Sequence, residues 1–294
     1  MGAAEWMTDV SDLRCKLCGN AHVEFVFSED IGGQTYASYY CSKCDVYQTL
    51  GEVPAVSPDY IGLTEDELVG EHVFLQRAHK RPAFEKWLDA VKRLDPGFAK
   101  GERRKLLDIG CGVGGFLDFA KDHGFDVYGF DASEAQIQLA RRNHPNVRHA
   151  ITIDDYIDQL SERPSFDYVT MWDVFEHIRE PQALLTSVRP YVSQDGLFYV
   201  SVPSGAPTRA KLAAARWRKS SPGLIPWEHV FYYTKKSLPI VFGQSGYTIV
   251  AIDGVAPYVR SMSVHEFVRR MVHTALRATP LALQISAFAR PTSR

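Results

Sequence analysis

Four glycines fall within six residues in the stretch Asp108-Ile-Gly110-Cys-Gly112-Val-Gly114-Gly115. The apolar run Lys105–Ile109 reads as a strand leading straight into these glycines, and residues 115–124 read as a helix leaving them. A strand that passes through glycines into a helix lets its backbone come close to a ligand at the helix N-terminus. Parallel α/β sheets bind nucleotide-like cofactors in this way. The glycines alone fit a dinucleotide as well as other adenosyl cofactors. So does Asp131, which ends the next strand and can accept both hydroxyls of a ribose.

The pattern then repeats. Strands are predicted at 126–130, 147–151, 166–171 and 196–202, with helices at 133–143 and 181–192. Residues 237–245 read as a further helix and 247–253 as a further strand. Strands alternating with helices predict an α/β fold with a doubly wound, mostly parallel sheet. Upstream, Leu68, His72 and Leu75, then Phe84, Trp87, Leu88, Val91 and Leu94, recur at helical spacing. Thr64 with Glu67 forms a capping box, Pro82 separates two helices, and Pro96-Gly97 stops the second.

Five cysteines divide into two kinds. Cys15-Lys-Leu-Cys18 and Cys41-Ser-Lys-Cys44 are two C-x-x-C pairs with 22 residues between them. Two thiolates three positions apart grip one zinc ion from a tight turn, and two such turns complete a tetrahedral structural site. Gly19 suits the positive φ of such a turn. The intervening His22–Phe27, Gly32-Gly33 and Thr35–Tyr40 read as a hairpin joining the turns. A segment this short needs metal to supplement its core. Cys111 sits among the glycines, where its small size is the relevant property.

The 294 residues are 45% hydrophobic and 23% charged, an ordinary globular composition. Lys plus Arg number 33 against 35 Asp plus Glu, a net charge of −2. That balance does not suit a protein whose whole surface meets nucleic acid, so a nucleic-acid partner is not expected. No apolar run reaches the roughly 18 residues of a membrane span. Met1-Gly-Ala-Ala-Glu-Trp6 has neither a basic leader nor an apolar stretch, so a cytoplasmic location is expected.

Taken whole, Leu106-Leu-Asp-Ile-Gly-Cys-Gly-Val-Gly-Gly115 with Val127-Tyr-Gly-Phe-Asp131-Ala-Ser resembles the class I S-adenosylmethionine-dependent methyltransferase family. Phe166-Asp-Tyr-Val-Thr-Met-Trp-Asp-Val-Phe-Glu-His177, continuing to Pro181, and Asp195-Gly-Leu-Phe-Tyr-Val-Ser-Val-Pro203 follow in the family's order. The likeness runs from Leu106 to Asp253, about half the chain. It implies a Rossmann-like fold and S-adenosylmethionine as cofactor. Asp108, Gly110, Gly112 and Gly114 would then lie beside its methionine and ribose, with Asp131 and the following Ala132 at the ribose hydroxyls. Ile151 and Thr152 would flank adenine, and Trp172 and Asp173 the methionine.

Asp173-Val-Phe-Glu176-His177 follows the fourth strand at its carboxyl edge, with polar positions at i, i+3 and i+4 that would share one helical face. Trp227-Glu228-His229-Val-Phe-Tyr-Tyr-Thr234 resembles a His-containing motif after the family's fifth strand. Three readings stay open. His177 or His229 is a general base, assisted by Glu176 and Glu228. Alternatively Asp173, Glu176, His177 and His229 hold a divalent metal, as the similar Glu-x-x-Glu-His clusters of ubiquinone-pathway and small-RNA methyltransferases imply. In the third, Glu176 and His177 only brace the chain. The Glu228-His229 pair also resembles that of sugar C-methyltransferases, which likewise begin with a zinc-binding segment.

Arg209, Lys211, Arg216, Arg218 and Lys219 lie between residues 204 and 227 without an acid, on a stretch read as helical over 211–217. They suit an anionic acceptor. The tail from 257 carries Arg260, Arg269, Arg270, Arg277, Arg290 and Arg294 around the apolar Val264, Phe267, Val268, Met271, Val272 and Leu276. That stripe is expected to pack on the domain or a second copy, with a peripheral membrane contact as the alternative.

The expected organisation is a zinc ribbon over 1–53, a linker and helical bridge over 54–100, a methyltransferase domain over 101–256 with a basic insertion at 204–227, and a basic amphipathic segment over 257–294. The expected function is methyl transfer from S-adenosylmethionine to a hydroxyl or carbon of a small molecule such as a sugar nucleotide, glycan precursor or secondary metabolite. The alternatives are an RNA methyltransferase that uses the zinc module for RNA contact, and a non-catalytic S-adenosylmethionine-binding scaffold.

Overall fold

The computed structural model describes residues 13–50, 80–100, 104–218, 224–255 and 282–292. The expected linker, the capping box at Thr64 and the apolar stripe at 264–276 lie outside the described residues.

After the first cysteine turn come β1 (Glu24–Ile31), β2 (Gln34–Cys41) and β3 (Val46–Leu50). Helix α1 (Arg81–Leu94) carries Pro82 in its first turn, where a missing N–H costs nothing. Its buried Phe84, Trp87, Leu88 and Val91 form one face at i, i+3, i+4 and i+7. The βα units are β4 (Arg104–Ile109), α2 (Gly115–Asp122), β5 (Phe125–Asp131), α3 (Glu134–Arg141), β6 (Val147–His149), α4 (Ile153–Asp158) and β7 (Phe166–Trp172). Then follow a 3-10 turn at Phe175–His177, α5 (Pro181–Val188), β8 (Val192–Pro203), α6 (Thr208–Arg218) and the two-residue β9 (Phe231–Tyr232). Helix α7 (Ser237–Gln244), β10 (Tyr247–Val255) and β11 (Gln284–Pro291) complete the described chain.

Seven strands form the central sheet in the order β10-β11-β8-β7-β4-β5-β6. The pairs from β8 through β6 are parallel, and β11 enters antiparallel between β8 and β10. Reading outward from β4, the order reverses at the β4/β7 junction, where a doubly wound sheet opens its ligand crevice. The fold class is therefore α/β, Rossmann-like, as the sequence predicts.

The differences have local causes. Strand β6 stops at His149, not 151: the Ala150 amide donates to the Asp131 carbonyl (3.1 Å), and there its partner strand β5 ends. Thr152 then caps α4 through its hydroxyl, which accepts from the Asp155 amide (3.1 Å). Residues 284–291, within the basic tail of the sequence reading, form a buried strand of the central sheet. The second sheet, β1-β2-β3-β9, is antiparallel and takes its fourth strand from residues 231–232, about 180 positions beyond its third. Among the described residues no helix is long and apolar enough to cross a membrane.

Candidate active site

The glycine loop forms as its residue types require. Gly110, Gly112 and Gly114 all have positive φ (72°, 55° and 83°), which side chains with a Cβ adopt only under strain. A Cβ on Gly110 would lie 2.4 Å from the Val174 Cγ2, so the loop after β7 presses directly on the glycines. Two amides hold Asp131 at the end of β5: Gly112 donates to one carboxylate oxygen (2.9 Å) and Ser133 to the other (2.8 Å). Burial pushes the Asp131 carboxyl up, and these amides oppose it. Asp108 is buried and accepts from the Thr170 hydroxyl on the neighbouring strand (2.7 Å). Burial raises its carboxyl to about 7. Ile151 is 66% exposed beside the capping Thr152, at the rim beyond Asp131. Ala132 lends its carbonyl to the His149 ring (3.0 Å). Cys111 is buried, and burial raises its thiol well above the ordinary range, which leaves it inert at neutral pH.

Trp172 ends β7 in a buried aromatic cluster with Phe84, Phe116 and Tyr199. The next residue, Asp173, has φ 56°, so it turns out of the strand and shares no helical face with Glu176 and His177. Its carboxylate bridges Lys80 (2.9 Å) and Gln284 (2.7 Å). Neither residue stands out in the sequence. Lys80 precedes a helix and Gln284 opens an unpredicted strand, and only the fold brings them to the carboxyl edge of β7.

Glu176 is 1% exposed, and among the described residues neither of its carboxylate oxygens has a hydrogen-bond partner. Burial, and then the Asp173 charge, push its carboxyl well up. His177 follows with its side chain 29% exposed. Its Nδ1 lies 2.9 Å from the Glu228 carbonyl, and a carbonyl can only accept, so Nδ1 carries the proton and Nε2 keeps its lone pair. Burial lowers the His177 pKa. The His229 ring stands edge-on to His177, with centroids 4.8 Å apart. Burial, and then His177 and Lys211, take His229 down to about 3. Glu176, His177 and His229 each offer a ligand atom within 4.8 Å of the others, so three of the four expected divalent-metal ligands come together. Asp173 does not join them. Glu228 contributes through its backbone carbonyl.

The four cysteines also come together. Cys15 Sγ is 3.4 Å from Cys44 Sγ, and Cys18 Sγ is 3.7 Å from Cys41 Sγ. A tetrahedral zinc with sulfurs at about 2.3 Å has an edge of about 3.8 Å, so the cage has the right size. Three of the four cysteines are buried, and Gly19, at φ 66°, closes the first turn. A cleft of about 450 Å³ between α1 and the β8, β10 and β11 strands includes none of these residues.

A doubly wound sheet with a glycine loop beside β4, an acid closing β5 and a polar cluster after β7 fits a Rossmann-like S-adenosylmethionine-dependent methyltransferase. Comparison with known families agrees. A methyltransferase domain family matches residues 77–252, and the chain belongs to it. The ubiquinone biosynthesis O-methyltransferase of Glaesserella parasuis is 31% identical over 105 residues, 33% of this chain and 44% of that protein. The enzyme of the same name from Sinorhizobium fredii is 33% identical over 113 residues, 37% of this chain and 45% of that protein. The chain thus spans less than half the length of these curated relatives. A methyltransferase structure from Archaeoglobus fulgidus has a TM-score of 0.48 at 19% identity, covering 75% of this chain and all of that one.

Proposed function

We propose that the protein transfers a methyl group from S-adenosylmethionine to a hydroxyl of a small acceptor, with His177 taking the acceptor proton. The observation that carries this reading is the His177 hydrogen bond. With Nδ1–H donated to the Glu228 carbonyl at 2.9 Å, Nε2 keeps its lone pair, 4.0 Å from a Glu176 carboxyl oxygen, on a side chain that is 29% exposed. The lowered pKa keeps that ring neutral at pH 7, the state a base needs. S-adenosylmethionine, when bound, supplies an already activated methyl, so the chain's contribution is orientation and removal of one proton.

Gly110, Gly112 and Gly114 give the backbone its close approach to the cofactor, and Asp131 receives the ribose hydroxyls. Trp172 and Asp173 border the methionine, and Ile151 and Thr152 border the adenine. Lys211 lies close enough to His229 to depress its pKa, which favours an acceptor carrying negative charge. The names of the O-methyltransferase relatives favour oxygen over carbon. Cys15, Cys18, Cys41 and Cys44 would hold a structural zinc ion, for which their sulfur spacing is suited.

A second reading has its own support. Glu176 with two buried oxygens, and His229 with a buried Nδ1, all unpartnered among the described residues, are what a divalent cation shared with His177 would satisfy. One experiment separates the two. Purified protein is offered phenolic, catechol and glycosyl acceptors, and release of S-adenosylhomocysteine is followed. The base reading expects His177→Gln to stop turnover while wild type survives removal of weakly bound metals. Loss of turnover on chelation, restored by Mg²⁺ or Mn²⁺ with zinc still in the ribbon, establishes the metal reading instead.

A further inference from the structure

We propose that the four-cysteine ribbon is a working part of the methyl-transfer site: it sets the position of His229 and, through the Glu228 carbonyl, the tautomer of His177. This rests on the reading of His177 given above.

Residues 228–234 are clamped from two sides. On the ribbon side, the Thr49 amide donates to the Val230 carbonyl (2.8 Å), and β3 pairs with β9 as Tyr47 with Tyr232 and Gln48 with Phe231. The Thr234 hydroxyl donates to the Asp45 carbonyl (2.8 Å), one residue after Cys44. On the domain side, the Gly205 amide donates to the Tyr233 carbonyl (2.6 Å), and Ser204 bridges Tyr233 at the end of β8. A Cβ on Gly205 would sit 2.4 Å from the Tyr232 carbonyl oxygen, so the two strands meet without slack.

The segment so held carries both groups that act on the histidines. The Glu228 carbonyl fixes His177, and the His229 ring lies between His177 and Tyr232. The path back to the cysteines is short. Strand β3 starts at Val46, two residues beyond Cys44, and the Gln48 side chain accepts from the Lys16 amide (2.9 Å) inside the first cysteine turn.

Ser38 and Thr49 are buried polar residues at this junction whose hydroxyls meet (3.5 Å), and buried Gln48 is paired through its Oε1, though among the described residues its Nε2 has no partner. A ribbon that merely added apolar surface would not bury them. Polar groups in a packed interface fix relative orientation, because each misregister leaves a donor or acceptor unpaired. The ribbon backbone therefore dictates where residues 228–230 lie.

The test uses full-length, ¹⁵N-labelled protein and needs no acceptor. Histidine ¹⁵N–¹H spectra report which ring nitrogen of His177 is protonated, with His177→Gln supplying the assignment. Calorimetry with S-adenosylhomocysteine reports the cofactor site. Zinc-loaded wild type is expected to show the Nδ1–H tautomer with a slowly exchanging proton. Chelation of the ribbon metal, and separately Thr234→Val in the zinc-loaded protein, which also removes the acceptor of the Lys236 and Ser237 amides, should mix the tautomers and speed that exchange about tenfold, the size of the one lost His177–Glu228 hydrogen bond. S-adenosylhomocysteine affinity should stay within about twofold, because none of its proposed contacts is a lost partner. Thr234→Ser keeps the hydroxyl and should keep the signature, and re-added zinc should restore it to the chelated protein.

A His177 signature unchanged in Thr234→Val and after chelation overturns the proposal. So does a signature lost only together with cofactor affinity, since that is general unfolding. Should His177→Gln turn over at the wild-type rate, the base reading fails while the tautomer result stands on its own.

Discussion

Glu176 is a carboxyl placed where ionisation is costly. In the unfolded chain it ionises above its ordinary value of 4.5, whereas burial keeps the folded form protonated to much higher pH. Stability is therefore lost as pH rises from the ordinary value through the raised one. Glu176→Gln is neutral throughout, so its melting temperature should exceed wild type at pH 8 and match it near pH 4. A bound divalent cation reverses that sign. The histidines work in the opposite sense. Both are held below 6.5, so their contribution is complete above 6.5 and is lost as pH falls below it, toward about 3 for His229. In kinetics, the acid limb of kcat/KM should lie below pH 6.5 and belong to His177. His177→Gln should cost about 10²–10⁴-fold in turnover, the usual contribution of a general base. Asp131→Ala removes the acceptor of two loop amides and of the proposed ribose hydroxyls, and S-adenosylhomocysteine calorimetry should record about ten- to a hundredfold weaker binding.

At the scale of elements, the glycine loop separates two kinds of glycine. Gly110 has φ 72° and no room for a Cβ, whereas Gly124 has φ 84° with open space around it. Gly124→Ala should cost only the left-handed backbone penalty of about 1–2 kcal/mol and leave cofactor binding intact. Gly110→Ala adds an overlap with Val174 worth about 1–3 kcal/mol more and should abolish binding, as thermal melts and calorimetry would record. The contrast also explains what could be read in advance. The βα units were legible because buried parallel strands are continuous apolar runs and because the glycines and Asp131 act through local backbone geometry. Strand β9 was not, since two residues have no period and exist as a strand only because β3 lies beside them. Asp173 was misplaced for a similar reason. Spacing of i, i+3 and i+4 suggests a helix, but a backbone at φ 56° tied to Lys80 and Gln284, 93 and 111 residues away, overrides it.

For the molecule as a whole, the two sheets share one interior. Cys15, Leu17, Tyr36, Cys41, Cys44 and Val46 pack in the same apolar cluster as Leu107, Val169, Phe198 and Phe242 of the methyltransferase sheet. Gln182 of α5 donates to the Lys16 and Leu17 carbonyls inside the first cysteine turn (3.3 and 3.1 Å). An appendage joined by a linker would melt by itself; a ribbon whose strand β3 is completed by β9 cannot leave without stripping Phe231 and Tyr232 of their cover. Metal that binds only the folded state adds RT ln(1 + [L]/Kd) to its stability, about 2.7 kcal/mol at a hundredfold excess over Kd. Because the cluster is continuous, that increment should reach the whole fold. Scanning calorimetry of the zinc-loaded protein should give one cooperative transition, and chelation should move that transition down as a unit. A small early transition with the main one unmoved would show two cores instead, and the ribbon would then be a passenger on the methyltransferase domain.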